Sequence, residues 1–202
     1  FTISVAAAAW APPAQAADPQ TFVQAEHDKL RGLLHQPKTG ARDAAVQREL
    51  DGMVDYEELA RRTFGQPCPP ALGSCTNHWG ELSDAQKAEV TTLLKQLVTK
   101  NYQKNLEKTL DYDVTYKGVK AGDAGDTKVR TEAKAKDKPR DPSVLVDYVV
   151  HERDGKVYVV DVITEGSSLA KAYYEQFDKK LKNKDEGYPN IVAKLREKIA
   201  KP

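Results

Sequence analysis

The 202-residue chain carries 31 Lys and Arg against 30 Asp and Glu, a formal charge of +1. So balanced a chain has no global field to hold nucleic acid along its phosphates, and partners have to be recognised locally. The length suits one domain or two small lobes sharing a core, and is enough to enclose a cavity.

The chain opens with a small, apolar run from Phe1 to Trp10, and Ala14-Gln15-Ala16 supplies the small-x-small pattern read by signal peptidase. Without an initiator Met or a basic n-region, residues 1–16 read as the remnant of a cleavable signal peptide and residues 17–202 as one domain. The apolar run is too short to span a bilayer and nothing later approaches that length, so the expectation is a soluble, exported protein.

Phe22, Val23, Leu30, Leu33 and Leu34 fall near helical spacing and predict a first helix ending around Pro37. A second helix is expected from Asp43 to Leu50. Asp55 with Glu58 resembles a capping box, and Tyr56, Leu59, Ala60 and Phe64 give the following helix one apolar face before Gly65 ends it. Cys68 and Cys75, the only cysteines, then sit in a loop with Pro69, Pro70 and Gly73. An even pair in an exported chain reads as a local disulfide. The alternative, zinc, has only His78 nearby, where a tetrahedral site needs more ligands.

Ser83 and Gln86 form a second capping box. It opens a long helix striped with Val90, Leu93, Leu94, Leu97, Val98, Tyr102 and Leu106, reaching about Lys108. The period then drops to two. Tyr112, Val114 and Tyr116 predict a strand, and a turn from Gly122 to Asp126 leads to a polar strand near Lys128 to Ala135. Val144 to Glu152 and Lys156 to Thr164 flank Asp154-Gly155, a strong hairpin signal. Helices from Ser168 to about Lys182 and from Tyr188 to Ala200 close the chain. The order predicts an α+β fold: N-terminal helices, a four-stranded antiparallel sheet and C-terminal helices.

No catalytic pattern stands out. Gly166-Ser167-Ser168 lacks the Gly-x-Ser-x-Gly elbow, so Ser168 reads as a helix cap. His27, His35, His78 and His151 are scattered and form no metal motif. Asp161 reads as a strand-end carboxylate bonding nearby amides, with a perturbed acid as the alternative. Lys179, Lys180, Lys182, Lys184, Lys194, Arg196, Lys198 and Lys201 read as a solvated basic face interrupted by acids, with attraction to anionic headgroups or an acidic partner as the functional alternative.

Four segments, in order, carry a family resemblance. They are Asp55-Tyr56-Glu57-Glu58-Leu59-Ala60-Arg61-Arg62-Thr63-Phe64-Gly65; Trp79 before Leu82-Ser83-Asp84-Ala85-Gln86; Tyr102 and Leu106; and Asp161-Val162, Glu165-Gly166, Ser168-Leu169, Tyr173 and Gln176-Phe177. From about Asp55 to Lys198 the chain resembles the MlaC-like, or toluene-tolerance, family of periplasmic phospholipid carriers of Gram-negative bacteria. Two departures stand out. Gln66 to His78 inserts a cysteine-bearing loop, which bears on partner docking, and Tyr174 stands where many members have Arg, which bears on a polar contact.

The resemblance implies a non-enzymatic periplasmic carrier, without cofactor, that encloses the acyl chains of a phospholipid in an apolar cavity between sheet and helices. It further implies traffic between an outer-membrane lipoprotein complex and an inner-membrane MCE-domain ABC transporter, maintaining outer-membrane lipid asymmetry. Such a carrier would work as a monomer that approaches membranes transiently. Its expected lining is Val114, Tyr116, Val146, Tyr148, Val160 and Val162 from the sheet, Leu94, Leu97, Val98 and Tyr102 from the long helix, and Leu169, Tyr173 and Phe177 from the later one. A one-residue register error would invert the strand faces. Two other readings are an exported enzyme with Asp161 or His151 as acid or base, and an envelope adaptor without a ligand. The enzyme predicts converging titratable groups, the carrier a deep apolar cavity, and the adaptor none.

Overall fold

A computed structural model describes residues 18–69, 72–138, 140–183 and 185–201, and only the backbone of 104–106. The expected signal-peptide remnant, Lys184 and the Leu106 side chain lie outside the described residues.

Helices begin where a side chain can accept an orphan amide of the first turn. Asp18 accepts from the Thr21 amide at 2.9 Å and Pro19 occupies the first turn, so α1 runs Pro19–Leu34. Thr39 caps α2, Gly40–Met53, at 3.2 Å from the Arg42 amide, so this helix is longer than expected from its apolar spacing alone. Asp55 caps α3, Tyr56–Thr63, through the Glu58 amide at 3.1 Å.

The two capping boxes differ. At the start of α4, Asp84–Leu106, both arms close: the Gln86 amide donates to Ser83 Oγ at 3.3 Å and the Ser83 amide to Gln86 Oε1 at 2.9 Å. At Asp55 the return arm is missing, because its amide donates to the Val159 carbonyl at 3.0 Å and Glu58 turns to Arg61 and Arg62. A tertiary bond to the sheet has replaced a local one.

Strands β1, Tyr112–Ala121, β2, Thr127–Ala135, β3, Val144–Arg153, and β4, Lys156–Thr164, form an antiparallel meander in chain order. Asp154 and Gly155 both have positive φ, 53° and 73°, as the two-residue hairpin requires. The sheet has a fifth strand where four were expected. Glu165 and Gly166 turn back with φ of 49° and 78°, pairing β5, Ser167–Ser168, with Thr164 and Ile163. Helices α5, Leu169–Lys182, and α6, Gly187–Ala200, follow.

Burial divides into two clusters. On the helical side, Phe64 and Trp79 pack with Val90, Leu94 and Leu97 of α4, Tyr173 and Phe177 of α5, and Ile191 and Leu195 of α6. On the sheet side, α1 and α2 bring Val23, Leu30, Leu34, Val46, Leu50 and Met53 against Val129, Val150, Val157 and Val159. Among the described residues no helix is long and apolar enough to cross a membrane.

A bulge in β4 decides which valines face α1 and α2. Val149 pairs with Asp161 but Val150 pairs with Val159, leaving Val160 as the extra residue. Strict alternation would group Val160 with Val162. The bulge instead brings Val157 and Val159 onto the face that holds Tyr148 and Val162.

Candidate functional site

The sheet-side layer is hollow. Between α1 and the facing surface of β1 to β3 lies a cavity of about 440 Å³. Leu30 and Leu34 wall it from α1, Val114 and Tyr116 from β1, Thr131 and Ala133 from β2, Val144, Val146 and Tyr148 from β3, and Tyr102 from α4. Register explains the sheet wall, since Val114 pairs with Ala133 and Ala133 with Val144, while Tyr116 pairs with Thr131 and Thr131 with Val146. Cross-strand partners share a face. The edge is polar, with exposed Gln24, Asp28, Lys108 and Thr109 and half-buried Arg31, whose Nη2 donates to the Tyr112 carbonyl at 3.3 Å.

A second, inner chamber of about 50 Å³ is bounded by Leu50, Met53 and Val54, by Tyr56 and Leu59 of α3, by Val98 and Tyr102 of α4, by Tyr148, by Val159 to Val162 of β4, and by Leu169. Tyr102 and Tyr148 belong to both linings. Burial raises both phenols, Tyr102 to about 12 and Tyr148 well above its ordinary value, so both stay neutral at physiological pH.

His27 is the one polar ring set among these aromatics. Its Nδ1 lies 2.6 Å from Tyr116 Oη, and its ring meets Tyr148 edge-on with centroids 4.9 Å apart. Burial lowers its pKa to about 4, so the imidazole is neutral at pH 7.

The expected lining residues separate into three places. Val114, Tyr116 and Val146 line the outer chamber, and Val98, Val160, Val162 and Leu169 the inner one; Tyr102 and Tyr148 line both. Leu94, Leu97, Tyr173 and Phe177 lie in the helical core and line neither chamber. They pack instead with Ile191 and Leu195 of α6. Sequence reasoning overlooked α1 itself. His27, Leu30, Arg31 and Leu34 are spaced to share one helical stripe, but a cavity wall and an ordinary core stripe look alike in sequence.

The two candidate acid–base residues have structural partners. Asp161, 3% exposed, accepts from the Val162 and Ala170 amides at 2.9 Å each and from Ser168 Oγ at 2.5 Å. Burial still raises its pKa, against the pull of those bonds. Ser168 Oγ in turn accepts from the Lys171 amide at 3.0 Å, as the N-cap of α5. His151 Nδ1 is 3.2 Å from Asp126, whose carboxylate is gripped by Arg62 at 2.6 and 3.0 Å. Among the described residues no cluster of His, Cys, Asp and Glu could hold a metal.

A family model described as "MlaC protein" matches residues 24–197. The chain belongs to the MlaC family. A search of curated proteins finds no match. Among solved structures, a phospholipid-binding protein from Ralstonia solanacearum, in complex with a phospholipid, is similar with a TM-score of 0.71 and 20% identity, over 91% of this chain and 98% of that one. At that identity the likeness shows the shared α+β fold.

The loop that carries the two cysteines has its own fastening. Cys68 and Cys75 are joined by a disulfide, and the Thr76 amide donates to Tyr174 Oη at 2.9 Å. Tyr174 Oη donates to Asp178 at 3.3 Å, and buried His78 Nε2 lies 2.8 Å from the same carboxylate. Tyr174 therefore ties the cysteine loop to α5. Gly65, with φ of 84°, makes the approach possible, because a Cβ there would lie 2.3 Å from the Thr76 carbonyl oxygen and 2.8 Å from the Tyr174 ring.

The C-terminal cations are largely matched by acids. Lys182 pairs with Asp178 at 2.8 Å, Lys194 with Glu197 at 2.7 Å and Arg196 with Glu89 at 2.9 Å, and Lys180 pairs with Glu186. Lys198 stands 4.8 Å from the Tyr173 ring centroid.

Proposed function

We propose that this MlaC-family chain is a soluble periplasmic phospholipid carrier, shuttling lipid between an outer-membrane lipoprotein complex and an inner-membrane MCE-type ABC transporter and so maintaining outer-membrane lipid asymmetry. The observation that carries the reading is the outer chamber: about 440 Å³ with aliphatic and aromatic walls and a polar edge. That volume falls within the range of about 300–1,000 Å³ typical of small-molecule sites. The walls suit acyl chains and the edge suits a headgroup left near water. The phospholipid in the Ralstonia solanacearum relative supports the choice of ligand.

The physical need is large. Two acyl chains contain on the order of thirty methylenes, and exposing them at about 0.8 kcal/mol each would cost about 24 kcal/mol. A carrier replaces the bilayer interior with one of similar polarity, so transfer lies near balance. Direction then comes from the complexes at either end, through their different affinities for loaded and unloaded carrier. The chain's own contribution is to bind and to exclude water, with no bond made or broken.

The test is to purify the protein from a Gram-negative periplasm, extract it with organic solvent and analyse the extract by mass spectrometry. Phospholipid in near-stoichiometric amount is the expected result. Recovery of none, with no uptake of labelled phospholipid from vesicles, would overturn the reading in favour of an adaptor.

A further inference from the structure

We infer that Tyr102 and Tyr148 form a partition between the two chambers, and that the inner chamber is a separate site for the distal end of an acyl chain, so these two side chains set the acyl length the protein retains. The inference rests on the carrier reading and adds to it.

Three observations carry it. First, Tyr102 and Tyr148 are the residues common to both linings, so the chambers adjoin at these two residues. Second, the inner chamber is bounded by apolar side chains such as Leu50, Met53, Val98 and Val162, and Asp161, its one carboxylate, is occupied by two amides and a hydroxyl. A site with so few free polar groups favours hydrocarbon over water. Third, both tyrosines project from regular elements, α4 and β3, so the partition opens through side-chain rotation without movement of a loop. His27 is a positioning residue, its ring packed against Tyr148 on the outer-chamber side and its Nδ1 bonded to Tyr116.

The consequence is a length threshold. A chain that fits the outer chamber leaves the partition closed. In a longer one the terminal methylenes either pass between the tyrosines or remain in water, and each methylene left in water lowers affinity about fourfold. Opening the partition therefore favours long chains, and filling the inner chamber penalises them.

The test uses vesicles of phosphatidylglycerol with two saturated chains of fourteen or of eighteen carbons, and measures the ratio of captured long to captured short lipid. Tyr148→Ala and Tyr102→Ala open the partition and are expected to raise the ratio by at least about fourfold, the worth of one sheltered methylene. Val98→Trp and Val162→Trp fill the inner chamber and are expected to lower it by a similar factor. Circular dichroism identifies the folded variants, and the filling pair keeps the idea testable if the alanine variants unfold. A ratio within twofold of wild type in every folded variant would overturn the partition while leaving the carrier intact. Failure of the wild type to capture either lipid would instead overturn the carrier reading.

Discussion

The helical half and the sheet half bury similar residue types to different ends. In the helical half, α3 to α6 close around Phe64, whose ring centroid lies 5.0 Å from that of Phe177 and 6.1 Å from that of Trp79, and the described side chains pack against one another. In the sheet half, α1 stands off a twisted meander and leaves about 440 Å³ among valines, alanine and tyrosines. Apolar composition does not distinguish a core from a container; the spacing of the layers does.

The contrast can be broken by truncation. Phe64→Ala, at 0% exposure, is expected to cost about 3–5 kcal/mol, whereas Val114→Ala, on a wall that already faces a cavity, is expected to cost less than about 1.5 kcal/mol. Urea denaturation of both variants measures the difference. A Val114→Ala cost of about 3 kcal/mol or more would mean that the sheet half is packed as tightly as the helical half.

Next in size is a pH effect confined to the hollow half. His27 has its pKa lowered from 6.5 to about 4, so as pH falls the unfolded chain takes up this proton first. Stability present in full above about pH 6.5 should decline towards pH 4 by up to about 3 kcal/mol. His27→Gln should remove that slope, as followed by urea midpoints at pH 7.5 and pH 4.5. An unchanged slope would show that His27 is solvated in the folded chain.

Overpacking sharpens the comparison further. Leu97→Trp, in the helical half at 2% exposure, is expected to destabilise by about 1–3 kcal/mol, because the larger ring has to displace buried neighbours. Val146→Trp should extend into the outer chamber, leave stability within about 1 kcal/mol of wild type and lower phospholipid occupancy. Thermal melts together with lipid quantification separate the two. The smallest effect belongs to the cysteine loop. Tyr174→Phe removes the acceptor of the Thr76 amide and should cost about 1 kcal/mol, with faster proteolysis between residues 66 and 78 as the more sensitive readout.

Periodicity, caps and turns were legible because each is a local constraint. Ser83 and Gln86 start a helix wherever they stand together, Asp154-Gly155 turns a hairpin through its own backbone, and Ser168 opens α5 by accepting the Lys171 amide. The family marks lie on the same elements, so the α+β order and the MlaC family followed from residues near one another in the chain.

The container did not follow, because its walls come from distant segments and their faces are set by pairing. Val160 owes its place to a bulge visible only once β3 and β4 are in register, and Asp55 spends its amide on Val159, a partner about a hundred residues away in the chain. Leu97, Tyr173 and Phe177 look as apolar as Val146 and Tyr148, yet lie in the helical core with Ile191 and Leu195 of α6. Sequence by itself determined which elements form and where each begins, since those depend on dihedral preference and short-range hydrogen bonds. Only tertiary structure decided which apolar faces meet and which stand apart, because that depends on strand register, helix stand-off and the volume left between them.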